Sequence, residues 1–388
     1  MSISTERDRP GRAARAPATP YRSLSDRARR LVLSDYFVLY MVLAYGAALA
    51  PFLPTLMTPA NAVNVLSNMW PLLVVAIGQT FVLAIAGIDL SQGSVVALTS
   101  VVGAMLITMA VDPAVLSKAP IWGPVLTEAG GPLAGVTGGI LLAILAMLLV
   151  AALVGFLNGV AVAVLEMPAF MVTLVSMITI SAFAIWLTQS ENIARLPEAY
   201  VKLGKGDIVS VYIGAKTDSQ IPRREVYSFV TYPMVIALAV AVAAHILLNA
   251  TVFGRWVLAI GLNRKAAEIS GIPVRRVIVA VYVISAICAA IGALLYSARL
   301  EAGRPTLGQG TFLLDVIGAA VIGGTSLFGG KAKIIWTFFG VLFFVLLSNT
   351  LNLMNLSAFQ VDMVKGAVIL GAALLDVLRT RLMRESRR

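Results

Sequence analysis

Apolar runs of about 20 residues recur along most of the chain, each long enough to cross roughly 30 Å of bilayer hydrocarbon. A soluble core could not hide them. Of 388 residues, 59% are hydrophobic and 13% charged, against about 45–50% and about 25% in soluble domains. The sequence reads as an all-α integral membrane protein with about ten transmembrane helices. These are expected at Tyr36–Leu53, Asn64–Ala86, Gln92–Val111, Ala134–Leu153, Ala169–Thr188, Ser228–Asn249, Arg276–Ser297, Thr311–Phe328, Ile334–Asn349 and Leu356–Leu378. From Leu133 to Leu165 the chain is uncharged for longer than one span needs, which predicts a span plus a half-helix ending at Glu166-Met-Pro168. Within it, Gly155 and Gly159 have the small-xxx-small spacing of closely packed helices.

The charge distribution gives the sidedness. A formal net charge of +11 concentrates at the two chain ends and around Arg255–Arg276, as in the cytoplasmic loops of membrane proteins rather than in a nucleic-acid surface. Residues 1–34 read as an Arg-rich, disordered cytoplasmic tail and not as a signal peptide, and 379–388 as a basic cytoplasmic tail. Between them lies a transmembrane domain at 35–378, with an external loop at 189–227 and a cytoplasmic loop at 250–275. An even number of spans then puts both termini in the cytoplasm. Five spans per half would run inverted relative to each other, as transporter repeats do. Asp89 and Asp315 would then occupy matching junctions on opposite faces.

Ionisable groups inside a membrane are costly and default to functional candidates. Asp89 lies in Gly87-Ile-Asp-Leu-Ser-Gln-Gly-Ser94, where Asp89, Ser91 or Ser94 can also cap the next helix. Asp315, beside Gln309 and Thr311, has the same two readings. Asp362 and Lys365, three apart, are expected to pair on one helix face. Gln79, Asn158, Thr173, Ser176 and Asn349 can line a pathway for a hydroxyl-rich solute or serve as interhelical glue. The substrate-pathway candidates are therefore Gln79, Asp89, Ser91, Asn158, Thr173, Asp315 and Asn349. Single residues Cys288 and His245 leave no disulfide framework and no metal site. No phosphate-binding loop, His-Glu-x-x-His pair or nucleophile elbow occurs, so no catalytic residue is expected and any ATP-driven step needs a separate ATPase.

One polar segment reads as a docking element. Asn263 can cap a short helix with Ala266, Ala267 and Ser270 on a small face, and Gly271-Ile-Pro273 stops it. The segment from Phe253-Gly-Arg255 through Ala259-Ile-Gly-Leu-Asn263 to Ser270-Gly-Ile272 resembles the cytoplasmic coupling loop of the permease subunits of bacterial ABC sugar importers of the ribose, xylose, galactose and arabinose type. Gly87–Ser94, Leu314–Gly330 and Pro168–Leu174 are similar to further blocks of that family, in the same order. Leu262, Leu314 and Lys331-Ala-Lys333 depart from its pattern.

The resemblance implies a permease working as a homo- or heterodimer with an ABC ATPase subunit, which uses ATP and Mg, and a periplasmic solute-binding protein. This chain itself would bind no cofactor. The place would be the bacterial inner membrane. Gly261, Asn263, Ala266, Ala267, Ser270 and Gly271 would couple to the ATPase, and Gly271→Arg or Ala267→Glu would uncouple transport from a correctly inserted subunit. The segment Ser190–Tyr227 would meet the binding protein, so that deleting Lys202–Lys216 would weaken its action. A permease for branched-chain amino acids or another small polar solute is the near alternative, and an ion-coupled secondary transporter the more distant one.

Overall fold

The computed structural model describes residues 36–212 and 226–385, with side chains as far as 374. The Arg-rich head at 1–34, the loop residues 213–225 and the side chain of Asp376 lie outside the described residues. In chain order the helices are α1 (Phe37–Leu49), α2 (Pro59–Ala84), α3 (Gln92–Ile107), α4 (Pro113–Leu116), α5 (Gly139–Ala163), α6 (Ala169–Thr188) and α7 (Glu198–Lys205). A hairpin of β1 (Asp207–Tyr212) and β2 (Val226–Thr231) follows. Then come α8 (Tyr232–Ala250), α9 (Val252–Leu262), α10 (Arg264–Ile269), α11 (Val274–Leu300), α12 (Phe312–Ile322), α13 (Ile334–Leu353) and α14 (Ala358–Glu385). Among the described residues six helices, α2, α5, α6, α8, α11 and α13, are long and apolar enough to cross a membrane. Helices α1, α3, α9 and α12 are apolar but shorter.

Two helices form the centre. α2, started by Thr58 accepting from the Asn61 N–H and by Pro59 in its first turn, is buried almost continuously from Met69 to Ala84. α11 is buried along most of its 27 residues. They cross where a Cβ on Gly292 would stand 2.4 Å from Val75, and one on Gly78 2.9 Å from Cys288. α5 and α6 lie outside them and turn Leu145, Leu149, Leu153, Phe170, Val175 and Ile178 outward, as helices facing lipid do.

The predicted span plus half-helix is one helix. Gly138, left-handed at φ +78°, starts α5, and the chain leaves it through Glu166 at φ +55°. Its 25 residues measure about 38 Å, and tilt absorbs the excess over the hydrocarbon. The glycine pair does serve packing: a Cβ on Gly155 would stand 2.5 Å from the Tyr282 carbonyl oxygen, and one on Gly159 2.7 Å from Val279 Cα. Gly155→Leu is therefore expected to push α5 off α11 and lower stability by about 1–3 kcal/mol or more, read as a fall in detergent-phase Tm. An unchanged Tm would show that the two helices do not meet there.

The hairpin departs from the all-α expectation. Its alternating β-branched and aromatic residues pair antiparallel, Ser210 with Ser228 and Tyr212 with Val226. The expected span from Ser228 accordingly starts later, at Tyr232, where Thr231 caps α8 by accepting from the Met234 N–H. At the other end, α14 continues beyond the expected boundary, to Glu385.

Candidate functional site

Two interruptions of helical structure bear on the candidate residues. After α2, Ala86 turns left-handed (φ +59°), and residues 85–91 run non-helically until α3 begins at Gln92. Asp89, 2% exposed, sits in this break. Its Oδ1 accepts from the Ser91 N–H (2.9 Å) and Ser91 Oγ (2.6 Å), and its Oδ2 from Ser285 Oγ on α11 (2.7 Å). Three donors on a buried carboxylate are strong, charge-assisted bonds. The network extends outward. Gln92 Nε2 donates to Ser285 Oγ (2.8 Å), Asn158 Nδ2 on α5 donates to Ser91 Oγ (3.0 Å), and Ser176 Oγ on α6 donates to Asn158 Oδ1. Thr173 Oγ1 reaches the Ile88 carbonyl at 3.3 Å.

Asp89 is thus no helix cap. It stabilises the turn into Ser91 and ties the break to α11, while Ser91, at the N-cap position of α3, makes no side-chain cap bond. Two nearby polar atoms have no hydrogen-bond partner in the protein, Gln92 Oε1 and the Tyr282 hydroxyl close against Gly87; Gln79, buried on α2, likewise has both amide atoms unpaired.

The second break lies between α11 and α12. Gly303 lies against Ser100 and Ala104, and Ser100 Oγ bonds both the Arg304 N–H (3.2 Å) and its carbonyl (3.1 Å). Gly308 then meets Gly93, where a Cβ would stand 2.2 Å from the Gly308 oxygen. The segment therefore runs down α3 from Ala104 to Gly93, about 16 Å at helical rise, and α12 starts where it ends. The second break thus meets, at Gly308 and Gly93, the first turn of the helix that follows the first break; such irregular backbone is kept in membrane proteins only inside protein or around a cavity.

Asp315 lies in the first turn of α12, with Lys365 Nζ of α14 at 2.8 Å; the two side chains are 16% and 11% exposed. The expected Asp362–Lys365 pair does not form. Asp362 instead accepts from Thr311 Oγ1 at 3.0 Å, so both α14 side chains bond to the α12 region. A pair within one helix is worth only about 0.2–0.5 kcal/mol, less than the need of a largely buried carboxylate for a cation. Asn349 forms a reciprocal amide pair with Asn61 (2.8 and 2.9 Å), the glue alternative. Among the described residues no cluster of His, Cys, Asp and Glu could hold a metal.

The predicted docking helix is α10. Asn263 Oδ1 accepts from the Ala266 N–H (3.1 Å), Ser270 Oγ donates to the Ala266 carbonyl, and Gly271 is left-handed at φ +79°. Ile269 is 88% exposed, with Ala266 and Ser270 also exposed, and Leu262 at the end of α9 adds a second apolar point at 72%. Ala267 is 4% exposed and packs into the chain's own core. Ala267→Glu would therefore bury a charge rather than report docking. Gly261 is also internal, because a Cβ there would stand 1.9 Å from the Ala84 carbonyl oxygen.

On the opposite side, Tyr200 of α7 is buried against Ser297 (2.7 Å), and burial pushes its hydroxyl up to about 12. A Cβ on Gly204 would stand 2.3 Å from the Arg299 nitrogen. Deleting Lys202–Lys216 would thus remove packed structure; the hairpin's exposed Ile208, Val211 and Phe229 are the freer surface.

The geometry brings Asp89, Ser91, Asn158 and Thr173 together and leaves Asp315 and Asn349 in separate pairs. Gln92 and Ser285 were missed as site residues. Gln92 stood inside the quoted block, whereas Ser285, a single hydroxyl among small apolar residues, carried no signal of its own.

Residues 61–373 match the family described as branched-chain amino acid transport system / permease component. The ribose import permease protein RbsC of Bacillus subtilis is 36% identical over 325 residues, 83% of this chain and 86% of the relative. RbsC of Escherichia coli K12 is 31% identical over 340 residues, 87% and 92% of the two chains. The L-arabinose ABC transporter permease protein AraH of Azospirillum brasilense is 28% identical over 379 residues, 98% and 97%. No solved structure matches the chain significantly. The chain therefore belongs to this family of ABC-importer permease components, and is a transport subunit rather than an enzyme.

Proposed function

We propose that the chain is the membrane permease of an importer for a sugar or related polyol, placed in the bacterial inner membrane with both termini in the cytoplasm. The observation that carries this reading is the likeness to the ribose import permease over 83% of the chain. Two copies, or this chain and a close relative, enclose the pathway. A separate ATPase that uses ATP and Mg docks below at α10, and a periplasmic binding protein delivers solute above, at the hairpin side. ATP binding and release switch the subunits between outward- and inward-facing states.

The network at the first break supports a neutral, hydroxyl-rich cargo. Ser91, Asn158, Thr173, Ser176 and Ser285 bond to one another, to the side chains of Asp89 and Gln92 or to backbone, and Gln79, Gln92 and Tyr282 hold unpaired polar atoms. Such groups exchange protein partners for sugar hydroxyls without moving net charge across the membrane. The family description favours a second cargo, a branched-chain amino acid.

Mild-detergent purification of the tagged chain from its native membrane, with mass spectrometry of what accompanies it, tests the assembly. An ABC ATPase and a binding protein that takes a sugar such as ribose or arabinose, as the relatives' names suggest, are expected. A binding protein that takes leucine instead moves the reading to the second cargo.

Docking at α10 has its own test. Ile269→Asp leaves the Asn263 cap and the buried Ala267 in place, yet puts a charge at an apolar position that is 88% exposed. Recovery of the ATPase with the permease is expected to fall about tenfold or more, as for loss of an interface anchor. Undiminished recovery would put the contact elsewhere.

A further inference from the structure

Three stretches of backbone that are far apart in sequence touch immediately above α10. Gly330 N–H donates to the Ala84 carbonyl at 2.9 Å, which joins the turn after α12 to the last residue of α2. Gly261, one residue before the end of α9, lies between them: a Cβ there would stand 1.9 Å from that carbonyl oxygen and 2.4 Å from the Gly330 nitrogen. A Cβ on Gly329 would stand 2.7 Å from the Gly261 oxygen and 2.8 Å from Ala86, and one on Gly330 2.5 Å from Leu262. The turn itself is closed by the Ser326 N–H on the Lys331 carbonyl (3.1 Å). Both Gly329 (φ +79°) and Gly330 (φ +74°) are left-handed, so the turn has this shape at little strain only with glycine.

The contacts of Gly261 with Ala84, Gly329 and Gly330 are backbone on backbone, with no side chain between them, and close-packed interiors pass displacement on rather than absorb it. α10 is attached to α9 through Asn263 alone and is held to its own chain by Ala267. Displacement of α10 therefore moves the end of α9, and the end of α9 cannot move without Ala84–Ala86 and Gly329–Gly330. The first of these leads into the break that carries Asp89. The second follows α12, whose first turn carries Asp315.

We infer that Gly261 and the Gly329–Gly330 turn form the joint through which movement of α10 reaches the interrupted segments of both halves. Gly261 is a positioning residue in this scheme. The inference rests on the proposed docking of the ATPase at α10, and its test separates the two.

The experiment uses the complete transporter with its ATPase and binding protein, in the nucleotide-free and ATP-trapped states. One pair of spin labels is placed on Leu262→Cys and Lys331→Cys, both exposed, and a second on Lys265→Cys, exposed on α10 beside the Ile269 anchor, and Val175→Cys; native Cys288 is buried. The second separation is expected to change between the states while the first stays constant. A change in the Leu262–Lys331 separation approaching one helix turn, about 5.4 Å, overturns the joint. Constancy of both separations overturns the docking reading beneath it. In parallel, Gly261→Ala forces a methyl into the joint, and solute imported per ATP hydrolysed is expected to fall about tenfold, within the usual range of coupling between sites. An unchanged ratio in an assembled transporter overturns the inference.

Discussion

Lys365→Met is expected to destabilise the subunit by about 3–5 kcal/mol, the usual effect of leaving one partner of a buried pair uncompensated. The pair keeps 11% and 16% side-chain exposure, so the lower end of that range applies. Asp315 would remain largely buried, and its nearest charged neighbour would be Asp362, another acid. The measurement is thermal unfolding in detergent, with the yield of folded protein as a second readout. Asp315→Leu combined with Lys365→Met should recover most of the loss, since replacing both partners by apolar groups leaves neither a stranded charge nor an unpaired polar atom. A single variant as stable as the native chain, or a double variant no better than the single one, would show that the pair does not bridge α12 and α14.

The second large effect is expected at Asp89, and the direction of each bond sets it. Ser285 Oγ already accepts from Gln92, and Ser91 Oγ from Asn158, so both hydroxyls give their protons to the carboxylate. Asp89→Asn replaces one accepting oxygen with a donating NH₂. Turned toward Ser285 it faces a hydroxyl proton, and turned toward Ser91 it faces both an N–H and a hydroxyl. Either way a buried donor is left unpaired, at about 1–3 kcal/mol, and Asp89→Leu strands all three. Uptake is expected to fall about tenfold or more for Asn and further for Leu, because each tenfold corresponds to only about 1.4 kcal/mol in the balance between states. Full uptake by Asp89→Asn would show that the carboxylate has no part in transport.

The membrane class was legible because apolar runs of span length declare themselves without tertiary information. The Asp89 block was legible as a departure from that pattern: a carboxylate and two serines between apolar helices have few inexpensive places to go. The way the block is used was not legible. Whether Asp89 caps its own helix or bonds across to Ser285 depends on where α11 lies, 196 residues away in sequence.

The same reason hid the second break. Residues 303–308 fell between two expected spans with no reading of their own, and only Gly93 and Gly308 meeting backbone to backbone shows that this stretch packs along α3. Small side chains announce that some close approach is present but not to what, so Gly155 and Gly159 were readable as packing, whereas Gly261 and Ala267 were taken for docking surface. Lys365 failed in a related way. Spacing along one helix measures what can meet, and Asp315, a partner from another helix, took the lysine.

The most direct test of the whole account is uptake by proteoliposomes holding the purified chain with its ATPase, binding protein outside and radiolabelled ribose or arabinose as cargo. The account predicts accumulation that requires both binding protein and enclosed ATP, and that is absent when the chain is reconstituted without its ATPase. Solute movement by the chain alone, driven by an ion gradient or by counterflow and indifferent to ATP, would contradict it.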